Sequence, residues 1–476
     1  MKKIDQLTST RILASLLIVM HHLGAMEIPV LRSLVSVAVY AIGFFFVLSG
    51  FVMTIVYFHP DRPFSFRDFW VARISRIFPV YLFSFALTSI HYADVLSKLK
   101  WSEYLASAFL LQAWVPEYAL TMNFPAWTLA VEMFFYLIFP LVIYLARRAP
   151  ASRLIWASLI IWVLIQALRQ VIIHGPFDVH VNFIAYFPLF HIDSFLLGMA
   201  AGMWYLKVGR TLQVSQRVIS AIMFSCLALF LAMHFLGATQ LFGSFHGFFS
   251  PLFAIIILAL TLDQSFVGRV LSWKPLVILG ESSYTLYIIH VPLLWIFGGA
   301  LGALGLKSSY LLSFGVYLPL ALLLSVVVFR LIEWPAQDWL RKNPQTLIVF
   351  LMDIILLVAA IALAYLARVG LDLRHYEREI NFSIRAGLPL VLFSLILFRF
   401  YRPVGGATVR WALVSLAAPL LLASSLLWGA LTVAKGAGWI ASFPRTFLPI
   451  NLVLMFGLLY LSRQALQRWK PSWLTQ

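Results

Sequence analysis

Residues 34–57 read LVSVAVYAIGFFFVLSGFVMTIVY. The stretch holds no charged side chain and exceeds the roughly 20 apolar residues that cross the hydrocarbon core of a bilayer. Stretches of the same character recur at approximately 11–25, 77–92, 126–146, 153–173, 183–206, 217–236, 247–264, 275–298, 309–333, 345–367, 386–401, 411–433 and 446–462. With 34–57 they make about fourteen spans, which predicts an all-α polytopic transmembrane helical bundle. A transmembrane barrel would alternate polarity in segments of about 10 residues, and that pattern is absent. Composition agrees. Of the 476 residues, 62% are hydrophobic and 11% charged, against about 25% charged in a soluble protein. A mean hydropathy of +0.93 leaves too little polar surface for one globular core in water. A soluble enzyme, a coiled coil and a disordered chain are all excluded.

The net charge is +17. In a soluble chain it would suggest nucleic acid. Here Lys and Arg sit in short loops between apolar runs, which is the positive-inside signature, and no nucleic acid partner is expected. With the N-terminus in the cytoplasm, most of the 35 Lys and Arg residues fall inside, among them Lys2, Lys3, Arg62, Arg67, Arg147, Arg148, Arg153, Arg341 and Lys342. Both termini are then cytoplasmic. The loop 368–385 runs against the rule with Arg368, Arg374, Arg378 and Arg385, and fits an amphipathic interfacial helix. The first apolar stretch has no small-residue cleavage site and reads as a membrane helix rather than a removable signal. Cys226 stands alone and Cys/His spacing for zinc is missing, so neither an intramolecular disulfide nor a metal is expected. The run 104–114 is too short to span. With the turn-rich residues 116–125 it reads as a re-entrant segment near 104–125 and a candidate cavity wall. Counting it as a span would carry Arg147, Arg148 and Arg153 outside. The polar, Pro-bracketed 333–344 marks the best internal boundary. It separates a core, 1–342, from a C-terminal four-helix transmembrane extension, 343–476.

Ionisable residues inside membrane spans are costly and default to functional candidates. In RILASLLIVMHH, Arg11 and His22 lie 11 residues apart, close to three helical turns. They therefore share a face roughly 16 Å apart along the axis. An imidazole there can take a proton from a hydroxyl near neutral pH. A snorkelling Arg and a satisfied interfacial His explain the same spacing. In RISRIFPVYL, Arg73 and Arg76 share a helical face at the membrane boundary, where paired guanidinium groups can clasp phosphates. Ordinary positive-inside anchoring is the plain alternative. In NFPAWTLAVE, Asn123, Trp127 and Thr128 precede Glu132, a carboxylate that needs a partner or a cavity. FFFVLSGFVM sets Ser49 and Gly50 in an apolar helix, which signals close helix packing. In GESSYTLYIIHVP, Glu281, Ser282, Ser283 and Tyr284 open a helix, where capping suffices. His290 beside Pro292 needs no more than a satisfied histidine at a kink. His191 and Asp193 either line a pocket or bond neighbouring helices.

Taken together, these motifs resemble the membrane-bound acyltransferase family 3, bacterial O-acyltransferases acting on surface polysaccharides and related acceptors. Arg11 with ten residues before His22, FFFVLSGFVM, RISRIFPVYL, AWTLAVEMFFYLIFP, GESSYTLYIIH and LIEWP occur in order over residues 1 to about 342. The resemblance implies a ten-span core in the bacterial cytoplasmic (inner) membrane. It implies transfer of an acyl group, commonly acetyl, from cytoplasmic acyl-CoA to a hydroxyl of a cell-surface glycan or lipid-linked glycan. It assigns His22, Arg11 and Glu132 to catalysis and Arg73 and Arg76 to CoA recognition. Trp127, Asn123 and Tyr284 are assigned to the substrate. Two features depart from the family pattern. Asp5 lies six residues before Arg11, off the usual D-x-L-R spacing, and four further spans stand where many members carry a soluble esterase-like domain. Two other readings stay open. One is a secondary transporter or flippase of a lipid-linked sugar. The other makes the C-terminal block a partner-docking module that assembles a homo-oligomer.

Overall fold

Backbone polar groups in lipid must be satisfied within their own segment, which favours helices. In the computed structural model the chain obeys this, and no strand occurs among the described residues. Those residues are 4–58, 63–91, 99–237, 247–307, 309–344, 346–370, 376–397, 415–436 and 446–469. Lys2, Lys3, Arg62 and Arg374, counted above for topology, lie outside them, as do residues 92, 345, 398–401 and 411–414 of four expected spans.

The helices in chain order are α1 (Asp5–His22), α2 (Pro29–Val35), α3 (Ala41–Tyr57), α4 (Phe66–His91), α5 (Trp101–Ala108), α6 (Trp127–Arg147), α7 (Ala151–His174), α8 (Val181–Tyr186), α9 (Ile192–Trp204) and α10 (Gln216–Phe235). They continue as α11 (Ser250–Leu262), α12 (Phe266–Leu271), α13 (Lys274–Glu281), α14 (Ser283–Ala303), α15 (Leu318–Val328), α16 (Trp334–Lys342), α17 (Thr346–Val369), α18 (Glu377–Leu397), α19 (Ala417–Gly436) and α20 (Phe447–Trp469). Each of the fourteen expected spans meets a helix. Ten helical segments among the described residues are long and apolar enough to cross a membrane. Ser250–Leu262 and Ala417–Val433 are apolar but shorter. The remaining two, α1 and α18, carry Asp5, Arg11, His21 and His22, or Glu377, Arg378, Glu379 and Arg385, and this polar load lowers their hydropathy below that of the other spans. The stretch 101–126 breaks into α5 and three single-turn helices, Gln112–Trp114, Pro116–Tyr118 and Phe124–Ala126. Leu110 and Met122 adopt positive φ of 57° and 63°, a conformation uncommon without glycine.

The chain divides into two compact units. One comprises Met1–Phe66 and Phe109–Phe329, the other Arg67–Ala108 and Arg330–Gln476. The first is built around the crossing of α3 and α9. A Cβ on Gly50 would sit 2.1 Å from the Phe195 carbonyl oxygen, and one on Gly198 would sit 1.9 Å from that of Val47. The two backbones touch where the small residues of FFFVLSGFVM predicted close packing. Phe51, Ile55, Phe230, Phe249, Phe253 and Ile257 fill the core beside this crossing. In the second unit, α17 to α20 pack through Leu357, Ala360, Leu392, Leu395, Leu420 and Leu459. There the Arg463 guanidinium grips Asp353 with two hydrogen bonds of 3.0 and 2.7 Å, both side chains being buried.

Candidate active site

The site is built on the end of α1. Ile12, Val19 and Leu23 recur at helical spacing and pack against Leu286, Tyr317 and Ala321. A Cβ on Gly280 would meet the Thr8 carbonyl at 2.1 Å, so α13 lies directly on the first turns of α1. The Ser15 hydroxyl donates to the Ser283 carbonyl at 3.3 Å. In GESS, therefore, the glycine allows contact and the Ser283 carbonyl receives the bond from α1. Ser282 makes no side-chain N-cap bond; its hydroxyl turns back to the Leu279 carbonyl. Helix α1 ends at His22 because Gly24 takes a left-handed φ of 81°, the usual glycine stop.

α14 supplies the partner. Pro292 lies inside it and lacks the N–H that would serve the carbonyl four residues earlier. That carbonyl, Ile288, accepts instead from the Asn123 Nδ2 at 2.7 Å. One turn along, His290 Nδ1 lies 2.7 Å from the Tyr287 carbonyl. A carbonyl only accepts, so Nδ1 carries the hydrogen and His290 Nε2 keeps its lone pair. His22 Nδ1 lies 2.8 Å from that Nε2 and must donate to it. In the neutral pair the His22 proton is thereby held on Nδ1, and its Nε2 is left as an unprotonated base. The two rings lie within 7° of parallel. Phe124 sets its ring edge-on to His22 at 4.9 Å, and the Tyr317 hydroxyl donates to the His290 carbonyl.

Thr128 Oγ1, the Tyr287 hydroxyl and the Pro125 carbonyl form a triangle with sides of 2.9, 3.1 and 3.2 Å. It joins the start of α6 to α14. Glu132, one turn further on, is half-buried and accepts from the Tyr136 hydroxyl at 3.0 Å. Trp127 is buried, with its ring 4.8 Å from Tyr186 and 5.3 Å from His191. Tyr284 is buried at the start of α14. Asp193 is buried and accepts from Gln166 on α7 at 2.6 Å, so it bonds neighbouring helices.

Arg11, His22, Asn123, Trp127, Glu132 and Tyr284 thus belong to the first unit. His22, Asn123 and the α14 turn around His290 are joined by the bonds just described. Arg73, buried, and Arg76, half-buried, lie three residues apart on α4, in the second unit. The residue that sequence reasoning left as a satisfied histidine is His290. Its signal was a histidine two residues before a proline within an apolar helix, where carbonyls are left free.

The family model described as an acyltransferase domain matches residues 4–330. The O-acetyltransferase OatA of Staphylococcus aureus is 26% identical over 314 residues, 61% of this chain and 51% of that protein. The putative peptidoglycan O-acetyltransferase YrhL of Bacillus subtilis is 27% identical over 280 residues, 52% of this chain and 43% of that one. The acyltransferase MdmB of Streptomyces mycarofaciens is 32% identical over 125 residues, 25% of this chain and 32% of its own. The chain spans about half the length of the OatA relatives it matches, and no solved structure matches it. With a match from the first turn of α1 through α15, and with the motifs in order along it, the chain belongs to the acyltransferase domain family.

Proposed function

We propose that this multi-pass membrane protein is an O-acyltransferase. It moves an acyl group, commonly acetyl, from cytoplasmic acyl-CoA to a hydroxyl of a cell-surface glycan or lipid-linked glycan. Residues 1–342 form the acyltransferase core and 343–476 a C-terminal extension, in the bacterial inner membrane with both termini cytoplasmic. The observation that carries the reading is the hydrogen-bond chain from the Tyr287 carbonyl through His290 to His22, which leaves one basic nitrogen at the end of α1.

In the reaction, His22 Nε2 takes the proton of the acceptor hydroxyl as its oxygen attacks the thioester carbonyl. The new C–O bond forms, the C–S bond breaks, and the departing thiolate recovers the proton from the His22 imidazolium. His290 accepts the Nδ1–H throughout and stabilises the transient positive charge. The same lone pair could instead attack the thioester and carry the acyl group as an acyl-imidazole. Arg11, three turns along α1, supplies a positive charge for the donor. Arg73 and Arg76 hold the CoA phosphates, for which paired guanidinium forks are suited. Glu132, Trp127, Asn123 and Tyr284 shape the acceptor side. Burial of the site in the bundle limits competing hydrolysis.

The test is acyl incorporation into envelope glycans by membranes holding the wild-type chain or His22→Ala at equal levels. Incorporation should fall by about 10²- to 10⁴-fold, the usual contribution of a general base. Full activity in the inserted variant would remove the mechanism. Liposomes separate the transport reading. Release of CoA that depends on acyl-CoA supports the enzyme, whereas acceptor movement without acyl-CoA supports a flippase. Labelled acyl on the protein in the absence of acceptor, lost in His22→Ala, would assign the covalent route.

A further inference from the structure

We propose that the C-terminal extension is part of the donor site's scaffold. Through a clamp centred on Arg385, it holds the helix that carries Arg73 and Arg76. The inference rests on the reading of those two arginines as the CoA phosphate grip.

The clamp lies wholly within the second unit, which unites α4 and α5 with the helices after Arg330. Arg385 sits in the middle of α18 and is buried. A permanent cation buried among packed apolar helices is costly unless it is answered. Its guanidinium lies 4.5 Å from the centre of the Trp101 ring and 5.5 Å from that of Tyr104, both on α5, a cation–π arrangement. Glu103, between them, interacts with it electrostatically. Pro389 lies inside α18 and takes away the N–H that would serve the Arg385 carbonyl four residues earlier. The Tyr104 hydroxyl fills that gap at 2.7 Å. One turn earlier on both helices, the Trp101 indole N–H donates to Asn381 Oδ1 at 2.8 Å.

The grip continues into α4. The Phe85 ring lies 5.2 Å from Tyr104, the Tyr81 hydroxyl donates to the Ser107 carbonyl, and Phe83 meets Phe393 of α18 at 5.2 Å. Tyr81 is five residues beyond Arg76 on the same helix. A helix bearing two guanidinium groups can clasp one phosphate-rich donor only if its position and rotation are held, since binding energy spent on ordering it is lost to affinity. Here that ordering comes from Trp101, Tyr104, Asn381 and Arg385. Two of the four, Asn381 and Arg385, lie in the extension.

The experiment uses the full chain in nanodiscs, with equilibrium binding of CoA and initial rates of labelled acetyl-CoA turnover in membranes. Tyr104→Phe removes one hydroxyl, and Asn381→Leu removes one acceptor. Each should raise the CoA Kd and the acetyl-CoA KM about five- to tenfold, the scale of one buried hydrogen bond, with kcat within about twofold. A merely structural role would lower the amount of active protein without moving KM. Should Tyr104→Phe fail to fold, Trp101→Phe keeps an aromatic face toward Arg385 but loses the N–H to Asn381 and part of the ring area, with the same expected split. Wild-type CoA affinity in the folded variants overturns the proposal. Arg73→Gln, run alongside, tests the underlying reading separately. If it too binds CoA normally, the donor assignment fails. If it alone weakens binding, the assignment stands and the clamp falls.

Discussion

A neutral imidazole offers one donor and one acceptor, and the neighbour of one nitrogen decides what the other can do. At His22 the neighbour is His290. Replacing His290 with Phe keeps an aromatic ring of similar shape and removes the acceptor, so the proton on His22 is no longer confined to Nδ1. Turnover should fall about 10²-fold, within the range for a disturbed general base, while CoA affinity stays at the wild-type value. His290→Gln, whose Oε1 can accept, should recover most of the loss. Steady-state kinetics beside CoA binding checks both arms, and an unaltered kcat in folded His290→Phe would count against the relay. Sequence pattern made His22 a candidate, because its distance from Arg11 matches whole helical turns, and the family resemblance assigned it to catalysis. It could not raise His290 above a plain core histidine, since the meaning of that side chain lies in a contact made across 268 residues of chain.

Helices carry their own instructions to different degrees. The apolar runs were legible because lipid demands long uninterrupted stretches, and α3, α6 and α7 follow them closely. Proline-bearing helices were less legible. In α14 and α18 a proline frees a carbonyl four residues back, and a polar side chain from the non-spanning segment that begins at Trp101 takes it up. Asn123 serves Ile288, and Tyr104 serves Arg385. That segment was readable as unable to span, but the carbonyls it serves were not. The crossing of α3 and α9 yields a direct test. Gly198→Ala places a methyl 1.9 Å from a backbone oxygen, so the helices must part. We expect a loss of about 1–3 kcal/mol, as for other overpacked contacts, seen as an earlier thermal transition in detergent. Gly298→Ala, where a Cβ meets nothing within 4 Å, should be neutral or slightly stabilising by comparison.

At the scale of the whole molecule, the chain order and the compact units do not coincide. The hairpin of α4 and α5 groups with the C-terminal helices, although it lies early in the sequence. Within that unit the buried Asp353–Arg463 pair joins α17 to α20. Asp353→Leu alone removes the carboxylate that answers the buried guanidinium and should cost about 3–5 kcal/mol, whereas Asp353→Leu with Arg463→Met should restore most of it. Thermal unfolding of the single and double variants reads the difference directly, and an additive loss in the double variant would sink the idea. By itself the sequence determined the membrane class, the helical architecture, the orientation bias and the family, together with His22 and the Arg73/Arg76 pair as candidates. Hydropathy, loop charge and helical spacing are properties of neighbours along the chain, so they survive without coordinates. Only the tertiary structure decided that His290 sets the tautomer of His22, that Asn123 and Tyr104 answer proline-freed carbonyls, and that the extension packs on the arginine helix. Each of these depends on which distant segments meet, and a buried polar group acquires its role from its partner.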